Sequence, residues 1–545
     1  MCGIIGYTGG GQAVPVLTRG LKALEYRGYD SAGVAVAADK KNLVVKKKGR
    51  VSELEKALAA AQPRATCGIG HTRWATHGEP SDQNAHPQSG PSGAIAVVHN
   101  GIIENYHELK RELADSGGVF YSETDTEAVA HLIEKYYEGD LRAAVFEAAK
   151  RLCGSYAIAV LCADFPDTIV AAACGSPLIV GTGDGETYLA SDAPALPETA
   201  RALYRMKDGE IAVLRPSIAE FFDRDGLPVT KTPLKSRPAY AEARLDGAES
   251  FMIKEIGEIP KALSKTAVYY RGGFFEEKET AEVFSAAKKI FIVGCGTAYH
   301  AGLIGRALIE KIAKIPVETD LASEFRYREP LITQDSLCIF ISQSGETADT
   351  LAAAALARQA GALTVCITNV AESALTAACR LTLPTLAGPE IAVASTKAYN
   401  CQLLILYRLA FCLGRLGGKL GDAEYSGYIT ALESAAAGIE TSYPDIPAMA
   451  QGYKNNRDLY FLGRGLDYFT ALEGSLKLKE ISYTHCEAYA SGELKHGALA
   501  LIEDGTPVIA TVTQAALLKK SLNSLEEVKA RKAQIIGIGK AAYLT

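Results

Sequence analysis

The second half of the chain writes one local pattern twice. From residue 289, KIFIVGCGTAYHAGLIGRALIEKI runs an apolar stretch into a glycine turn and then into helical periodicity; SLCIFISQSGETADTLAAAALARQAG and LTVCITN continue the alternation. From residue 458, DLYFLGRGLDYFTALEGSLKLKEIS starts the same order again, followed by TPVIATVTQAALLKKSLNSLEEVKARKA and QIIGIG. Short apolar runs of this kind read as strands covered on both faces, and parallel neighbours need crossover helices between them. Two tandem α/β subdomains are expected, each a doubly wound parallel sheet, joined by helices around 396–445.

The first half has another texture. CGIIGYT, AGVAVAA, AIAVVHN, YAIAVLCA, TIVAAAC, LIVGTG and EIAVLR are short β-type runs separated by turn residues. Helical periodicity interrupts them at 13–25 and 125–137. Sheets covered by helices are expected, an α+β or layered sandwich domain. The proline-rich RPSIAEFFDRDGLPVTKTPLKSRPAY reads as a last hairpin running into a linker. The boundaries expected are 2–235 for this domain, 236–279 for a linker with leading helices, 280–420 for the first α/β subdomain and 421–545 for the second.

With 545 residues, a length prior allows about three to four domains. The net charge of −6, with no basic run interleaved with aromatics, argues against nucleic acid as a partner. Twelve cysteines are scattered without a CxxC pair, which suits a reducing cytoplasm and argues against a metal site or a disulfide framework. The apolar LLILYRLAFCLG at 403–414 is too short for a bilayer and is broken by Arg408, so no membrane association is expected.

Polar chemistry concentrates in four places of the first half: Cys2, GIGHTRWATHGEP at 68–80, VVHNGIIEN at 97–105 and SETDTE at 122–127. Removal of Met1 would give Cys2 a thiol and a free α-amine, a nucleophile and base in one residue. Arg73 offers a planar fork for a carboxylate. Plainer readings exist: Cys2 as a small residue opening a strand, Arg73 on the surface. Asp125 suits a helix first turn as well as a ligand ammonium. His71, His77, His86 and His99 read as hydrogen-bonding structural residues. Together with EYRGYDSAG at 25–33, these motifs resemble, in order, the glutamine amidotransferase domain of the N-terminal-nucleophile type. That resemblance implies a layered αββα sandwich in which Cys2 forms a thioester and Asn100 and Gly101 supply the oxyanion donors. It also implies that Arg73, Trp74, Thr76, His77 and Asp125 surround the glutamine, with Trp74 gating the ammonia path.

In the second half, CIFISQSGETADT at 338–350 ends a strand in Ser342, Gln343, Ser344, Gly345 and Thr347 just before a helix. Such a junction offers hydroxyls and helix N-terminal N–H groups to an anion such as a phosphate. There is no GxxxxGK[ST], and neither VGCGT at 293–297 nor GRG at 463–465 completes a dinucleotide fingerprint. ASTKAYN at 394–400 adds another hydroxyl-bearing turn. Lys477 and Glu480 have the spacing of an ordinary i,i+3 helix pair. The repeated unit resembles the sugar isomerase (SIS) fold, and the whole chain resembles the glutamine–fructose-6-phosphate aminotransferase family. The resemblance implies transfer of the glutamine amide nitrogen to fructose 6-phosphate, giving glucosamine 6-phosphate and glutamate, without cofactor or metal. Glu480 would move the proton between C1 and C2 with Lys477 beside it, and His496, supplied across a homodimer, would open the ring. Gly296, Thr297, Ser342, Gln343, Ser344, Thr347, Val393 and Ser395 would hold the sugar phosphate.

Two departures stand out. Ala298 replaces a serine usual in CGTS, which predicts weaker sugar binding. The chain stops at AAYLT, where the family continues through the rest of the second SIS unit to a Schiff-base lysine; an incomplete second sheet and a C-terminal truncation are therefore expected. Amidation of a phosphoribosyl or aspartate acceptor needs a pyrophosphate or ATP loop that is not found. A sugar-phosphate sensor and a glutaminase-only fragment are the remaining alternatives.

Overall fold

A computed structural model describes residues 2–25, 28–38, 41–234, 245–271, 273–275, 277–441 and 443–544. Met1, Tyr26, Arg27 and residues 235–244 lie outside them; so do, therefore, the expected removal of Met1, two positions of EYRGYDSAG and the start of the expected linker. Contacts divide the chain into two units, Met1–Ala243 and Arg244–Thr545.

The first unit stacks two seven-stranded antiparallel sheets. One runs, edge to edge, Ala202–Arg205, Ile179–Gly183, Glu186–Ala190, Gly3–Gly9, Cys67–Arg73, Ser31–Ala38 and Lys41–Lys48. The other runs Pro228–Val229, Ile218–Phe222, Glu210–Arg215, Ile169–Cys174, Gly154–Cys162, Ile95–Ile103 and Gln88–Ser89. Successive strand residues face opposite ways, and the burial clusters divide by that parity. Ile5, Tyr7, Val34 and Val36 face outward onto helices Ala13–Leu24 and Val51–Ala61. Ile4, Cys67, Ile69, Ala96, Val98, Ala157 and Leu161 face inward and form the layer between the sheets. Ile95, Val97, Ile158 and Val160 pack under helices Tyr106–Asp115, Asp125–Lys135 and Leu141–Ala149. The result is the αββα layering implied by the first-half motifs.

The second unit opens with helix Phe251–Arg271 and carries two parallel sheets. The five-stranded sheet is ordered Val317–Leu321, Lys289–Gly294, Ser336–Ser342, Leu363–Thr368, Leu381–Pro384. The four-stranded sheet is ordered His485–Ala490, Asp458–Gly463, Pro507–Val512, Gln534–Gly539. Numbered within each sheet by chain order, the sequences are 2-1-3-4-5 and 2-1-3-4, so the repeat extends to topology. In sheets of this order ligands bind at the carboxyl ends, where strands 1 and 3 part company. Helix Lys397–Leu416 is almost wholly buried, with Ile405, Leu406, Leu409 and Leu413 in the core of the first sheet. It holds the apolar run LLILYRLAFCLG at 403–414, buried as a core helix. Among the described residues no helix is long and apolar enough to cross a membrane.

Candidate active sites

Strand parity builds the first site. Ile4, Ile69 and Val98 point into the layer between the sheets, so Cys2, His71, Arg73 and Asn100, each an even step further along its strand, point the same way. Gly3 pairs with Thr72, which sets Cys2 beside Arg73. The Trp74 N–H approaches the Cys2 Sγ at 3.4 Å. The Asn100 Nδ2 donates to the Cys2 carbonyl at 3.1 Å, and the His71 Nε2 lies 3.0 Å from Asn100 Oδ1 and 2.9 Å from the His99 carbonyl. Gly101 has φ +127°, and a Cβ there would come within 2.0 Å of the Ser155 carbonyl oxygen on the paired strand. Only glycine allows that backbone turn and that approach.

Charge is arranged around the thiol. Arg73 is buried and gives one arm to the carbonyls of His77 and Gly78. Its Nη1 is buried with no hydrogen-bond partner among the described residues. Burial lowers the Arg73 pKa from its usual value, while Cys2, Asp125, Asp30 and Glu123 act electrostatically in the other direction. Asp125 begins helix Asp125–Lys135, but its Oδ2 accepts from the Ile103 N–H at 3.0 Å, and Thr124 is the N-cap. Burial opposes its charge, yet His99 at 3.8 Å, the Ile103 N–H and His77 hold the carboxyl well below the usual carboxylate range. Arg73 thus has the Cys2 thiol and the Asp125 carboxylate both within electrostatic reach. Trp74 is 41% exposed and stacks edge-on against Tyr29. The side chains of Thr76 and His77 meet each other at 3.3 Å, and His77 leans on Tyr106.

The second site lies at the strand 1/strand 3 parting of the five-stranded sheet. Gly296, at φ +54°, caps helix Thr297–Ile312. Across the parting, the Gly345 N–H donates to Ser342 Oγ at 3.0 Å, and Ser342 Oγ meets Thr347 Oγ1 at 3.1 Å. Thr347 is the N-cap of helix Ala348–Gln359 and makes no capping hydrogen bond with its side chain. The Ser344 Oγ accepts from the Glu346 N–H, and the Gln343 carbonyl is held by Asn369. Hydroxyls, N–H groups and a helix start converge here on a position suited to a small anion.

Helix Leu466–Ser482 of the second sheet brings Lys477 and Glu480 in. Lys477 Nζ donates to Thr297 Oγ1 at 2.9 Å and to Glu480 Oε2 at 2.7 Å. The same lysine lies 3.4 Å from Glu473. Spacing alone gave Lys477 and Glu480 as a helix-surface pair; the contact with Thr297 ties both to the glycine turn of the other subdomain. Glu473, buried, accepts from Thr297 at 2.9 Å and faces His300 Nδ1 at 2.8 Å. Glu473 and His300 were not singled out in the sequence, although Glu473 stands one helical turn before Lys477. Val393 is 48% exposed, and Ser395 donates to Glu390 at 2.7 Å. Two carboxylates hold that loop: Glu390 also takes the Thr396 and Ala398 N–H groups, and Glu255 takes those of Ile391 and Ala392.

His496 is not brought to this cluster by a contact. It sits exposed on the short turn Leu494–His496, and its side chain makes no hydrogen bond or ion pair among the described residues. Ala298 is buried in the first turn of helix Thr297–Ile312 and belongs to the core beneath the sheet. Among the described residues no group of three or more His, Cys, Asp or Glu could hold a metal ion.

Known proteins match both halves. Residues 71–198 match the glutamine amidotransferase domain family, and residues 283–411 and 453–542 match the SIS domain family. A glutamine–fructose-6-phosphate aminotransferase [isomerizing] of Caldanaerobacter subterraneus subsp. tengcongensis is 48% identical over 100% of this chain and 91% of its own length. That of Symbiobacterium thermophilum is 49% identical over 99% of this chain and 90% of its own. The solved C-terminal domain of glucosamine-fructose-6-phosphate aminotransferase from Francisella tularensis superimposes with a TM-score of 0.53 at 40% identity, covering 55% of this chain and 86% of that one. With such identity sustained along the chain, and with a half-buried thiol beside a buried arginine and asparagine in the first unit and an anion-suited turn in the second, the chain belongs to the glutamine–fructose-6-phosphate aminotransferase (isomerizing) family.

Proposed function

We propose that the protein moves the amide nitrogen of glutamine to fructose 6-phosphate and isomerises the product to glucosamine 6-phosphate, releasing glutamate. The observation that carries this reading is Lys477 bonded at once to Thr297 and Glu480, which puts a proton-transfer pair at the anion site of the first SIS sheet.

In the first half-reaction the Cys2 thiolate attacks the amide carbon, and its α-amine, once Met1 is removed, takes the proton. Asn100 Nδ2 and the Gly101 N–H receive the tetrahedral oxygen. Arg73 binds the glutamine carboxylate and Asp125 its ammonium, with Trp74, Thr76 and His77 around them. In the second, Ser342, Gln343, Ser344 and Thr347 hold the phosphate, while Gly296, Thr297, Val393 and Ser395 border the sugar. Ammonia condenses at C2, and Glu480, beside Lys477, shuttles the proton between C1 and C2. His496 acts on ring opening from the partner in a homodimer formed through the SIS half; its exposed, uncommitted side chain supports that role. No cofactor or metal is called for. The twelve cysteines, none in a disulfide, suit a cytoplasmic enzyme.

Glutamine labelled with ¹⁵N at the amide tests the reading. Label should appear at C2 of glucosamine 6-phosphate, and Cys2→Ala should abolish its transfer. A Glu480→Gln variant should hydrolyse glutamine yet form no amino sugar. Transfer that survives Cys2→Ala would refute the first half, and amino sugar made by Glu480→Gln would refute the second.

A further inference from the structure

The proposed role of Asn100 depends on which way its amide faces, and the two faces are chemically opposite. Only Nδ2 can donate to an oxyanion; Oδ1 would repel it. Two backbone carbonyls fix the choice. Asn100 approaches the Cys2 carbonyl at 3.1 Å, and a carbonyl can only accept, so the atom turned to Cys2 is Nδ2. On the other side, His71 Nε2 lies 2.9 Å from the His99 carbonyl, another obligate acceptor, so Nε2 carries the ring proton. The same N–H then reaches Asn100 at 3.0 Å, and the atom it meets there must be Oδ1.

His71 comes from the Cys67–Arg73 strand of one sheet and Asn100 from the Ile95–Ile103 strand of the other, so the contact ties the two sheets together at the reacting end of the sandwich. The imidazole is fully buried, and burial, opposed only by its bonds to His99 and Asn100, pushes its pKa down to about 3. His86, 4.3 Å away ring to ring, is likewise held well below its ordinary value by burial and by His71. A ring that stays neutral across the working pH range keeps one donor and one acceptor and does not exchange roles.

We infer that His71 is a positioning residue for glutamine hydrolysis: its Nε2–H pins Asn100 Oδ1 and thereby keeps Nδ2 aimed at the oxyanion. The inference rests on the reading of Asn100 as an oxyanion donor. It assigns His71 no proton transfer and no contact with glutamine.

The test is a cycle of His71→Leu, His71→Gln and Asn100→Ala in the full-length protein. Losing one oxyanion donor costs about 10²–10³ in kcat. His71→Leu should lower kcat for glutamine hydrolysis at least tenfold while KM moves less than about twofold. His71→Gln, whose amide N–H can replace Nε2–H, should recover most of that loss. In the Asn100→Ala background, His71→Leu should cost nothing further. Alkylation of Cys2 by iodoacetamide needs no oxyanion site and should stay at the wild-type rate in His71→Leu. Additive losses in the cycle, or no rescue by glutamine, would overturn the inference while leaving Asn100 in place. A full-rate Asn100→Ala would instead overturn the oxyanion reading itself. Should His71→Leu not fold, ¹⁵N-histidine spectra of the wild-type protein decide: an Nε2–H tautomer from pH 6 to 9 supports the inference, and an Nδ1–H tautomer or an imidazolium overturns it.

Discussion

Replacing Lys477 with methionine keeps the length of the side chain and removes its charge. Three interactions go: 2.7 Å to Glu480, 3.4 Å to Glu473 and 2.9 Å to Thr297. Hydrogen bonds to charged groups contribute about 1.5–3 kcal/mol each, and a buried carboxylate stripped of its only partner costs about 3–5 kcal/mol. Neither limit applies in full. Glu480 is part-exposed and can hydrate, and Glu473 keeps Thr297 and His300. A net loss of about 2 kcal/mol is expected. The second unit, Arg244–Thr545, is larger than the usual single domain; at about 2.1 cal/mol/K of unfolding entropy per residue the loss is a fall of about 3 °C in its melting, read by calorimetry. Catalysis should suffer more, because a positioned acid/base group is worth about 10²–10⁴ in rate. Glucosamine 6-phosphate formation, measured by coupled assay or mass spectrometry, should drop at least 10²-fold, while glutamine hydrolysis assayed without sugar stays within twofold. Product formation within threefold of wild type would refute the assignment of Lys477 to the reacting centre. An unchanged melting transition would refute the claim that it bridges Thr297 and Glu480.

Three further outcomes follow from local geometry. Gly345→Ala places a Cβ 2.1 Å from Ser373 Oγ in a backbone at φ +68°; the Ser342–Thr347 turn must shift, and KM for fructose 6-phosphate should rise about tenfold or more with glutamine hydrolysis intact, a strain of about 1–2 kcal/mol from the left-handed conformation alone. Gly101→Ala drives its Cβ into the Ser155 backbone and should cost about 10²-fold in glutaminase kcat, the loss of one oxyanion donor. Burial raises the Glu255 carboxyl from 4.5 to about 7 against the Ile391 and Ala392 N–H groups that lower it; between those values the folded state binds a proton the unfolded chain releases, so stability should fall as pH rises from 4.5 to 7, by about 2 kcal/mol after allowance for solvent screening, and urea titrations of Glu255→Gln should lose that slope.

The repeat in the second half was open to reading because the first strand of each copy carries little but apolar residues and closes on a glycine turn. KIFIVG and DLYFLG announce themselves, and the matching Gly296 and Gly465, at φ +54° and +56°, show that the two turns are built alike. In the first half the strands with clean apolar runs were recognisable, but Cys67–Arg73 was not, although it lies inside its sheet, between Gly3–Gly9 and Ser31–Ala38. Its sequence, CGIGHTR, is buried along its whole length, and its polar residues are there for the site. Burying His71 and Arg73 erases the apolar signature that a core strand otherwise shows. Lys41–Lys48 failed for a different reason: it is an edge strand, whose ladder tolerates lysines such as half-buried Lys46 and exposed Lys48, and KNLVVKKK reads as charged surface.

The same logic explains which site residues could be found. Cys2 stands out by its place against the amino terminus, and Arg73, Asn100 and Asp125 because polar and charged groups are expensive to bury without purpose. Glu473, His300, Glu255 and Glu390 have the same cost, but the first three have partners that lie far away in sequence. Glu473 answers to Thr297 and His300, Glu255 to Ile391 and Ala392, separations of more than a hundred residues. Only the crossing of helix Leu466–Ser482 over the first sheet's glycine turn makes the Glu473 pairs, and nothing in either local sequence states it. What the sequence could supply was the identity of the groups that act; what folding adds is the set of buried carboxylates and imidazoles that hold them. His71, legible in the sequence only as a hydrogen-bonding residue, belongs to the second class: its strand placed it on the Arg73 face, and the carbonyls of His99 and Cys2 revealed which proton it keeps and why.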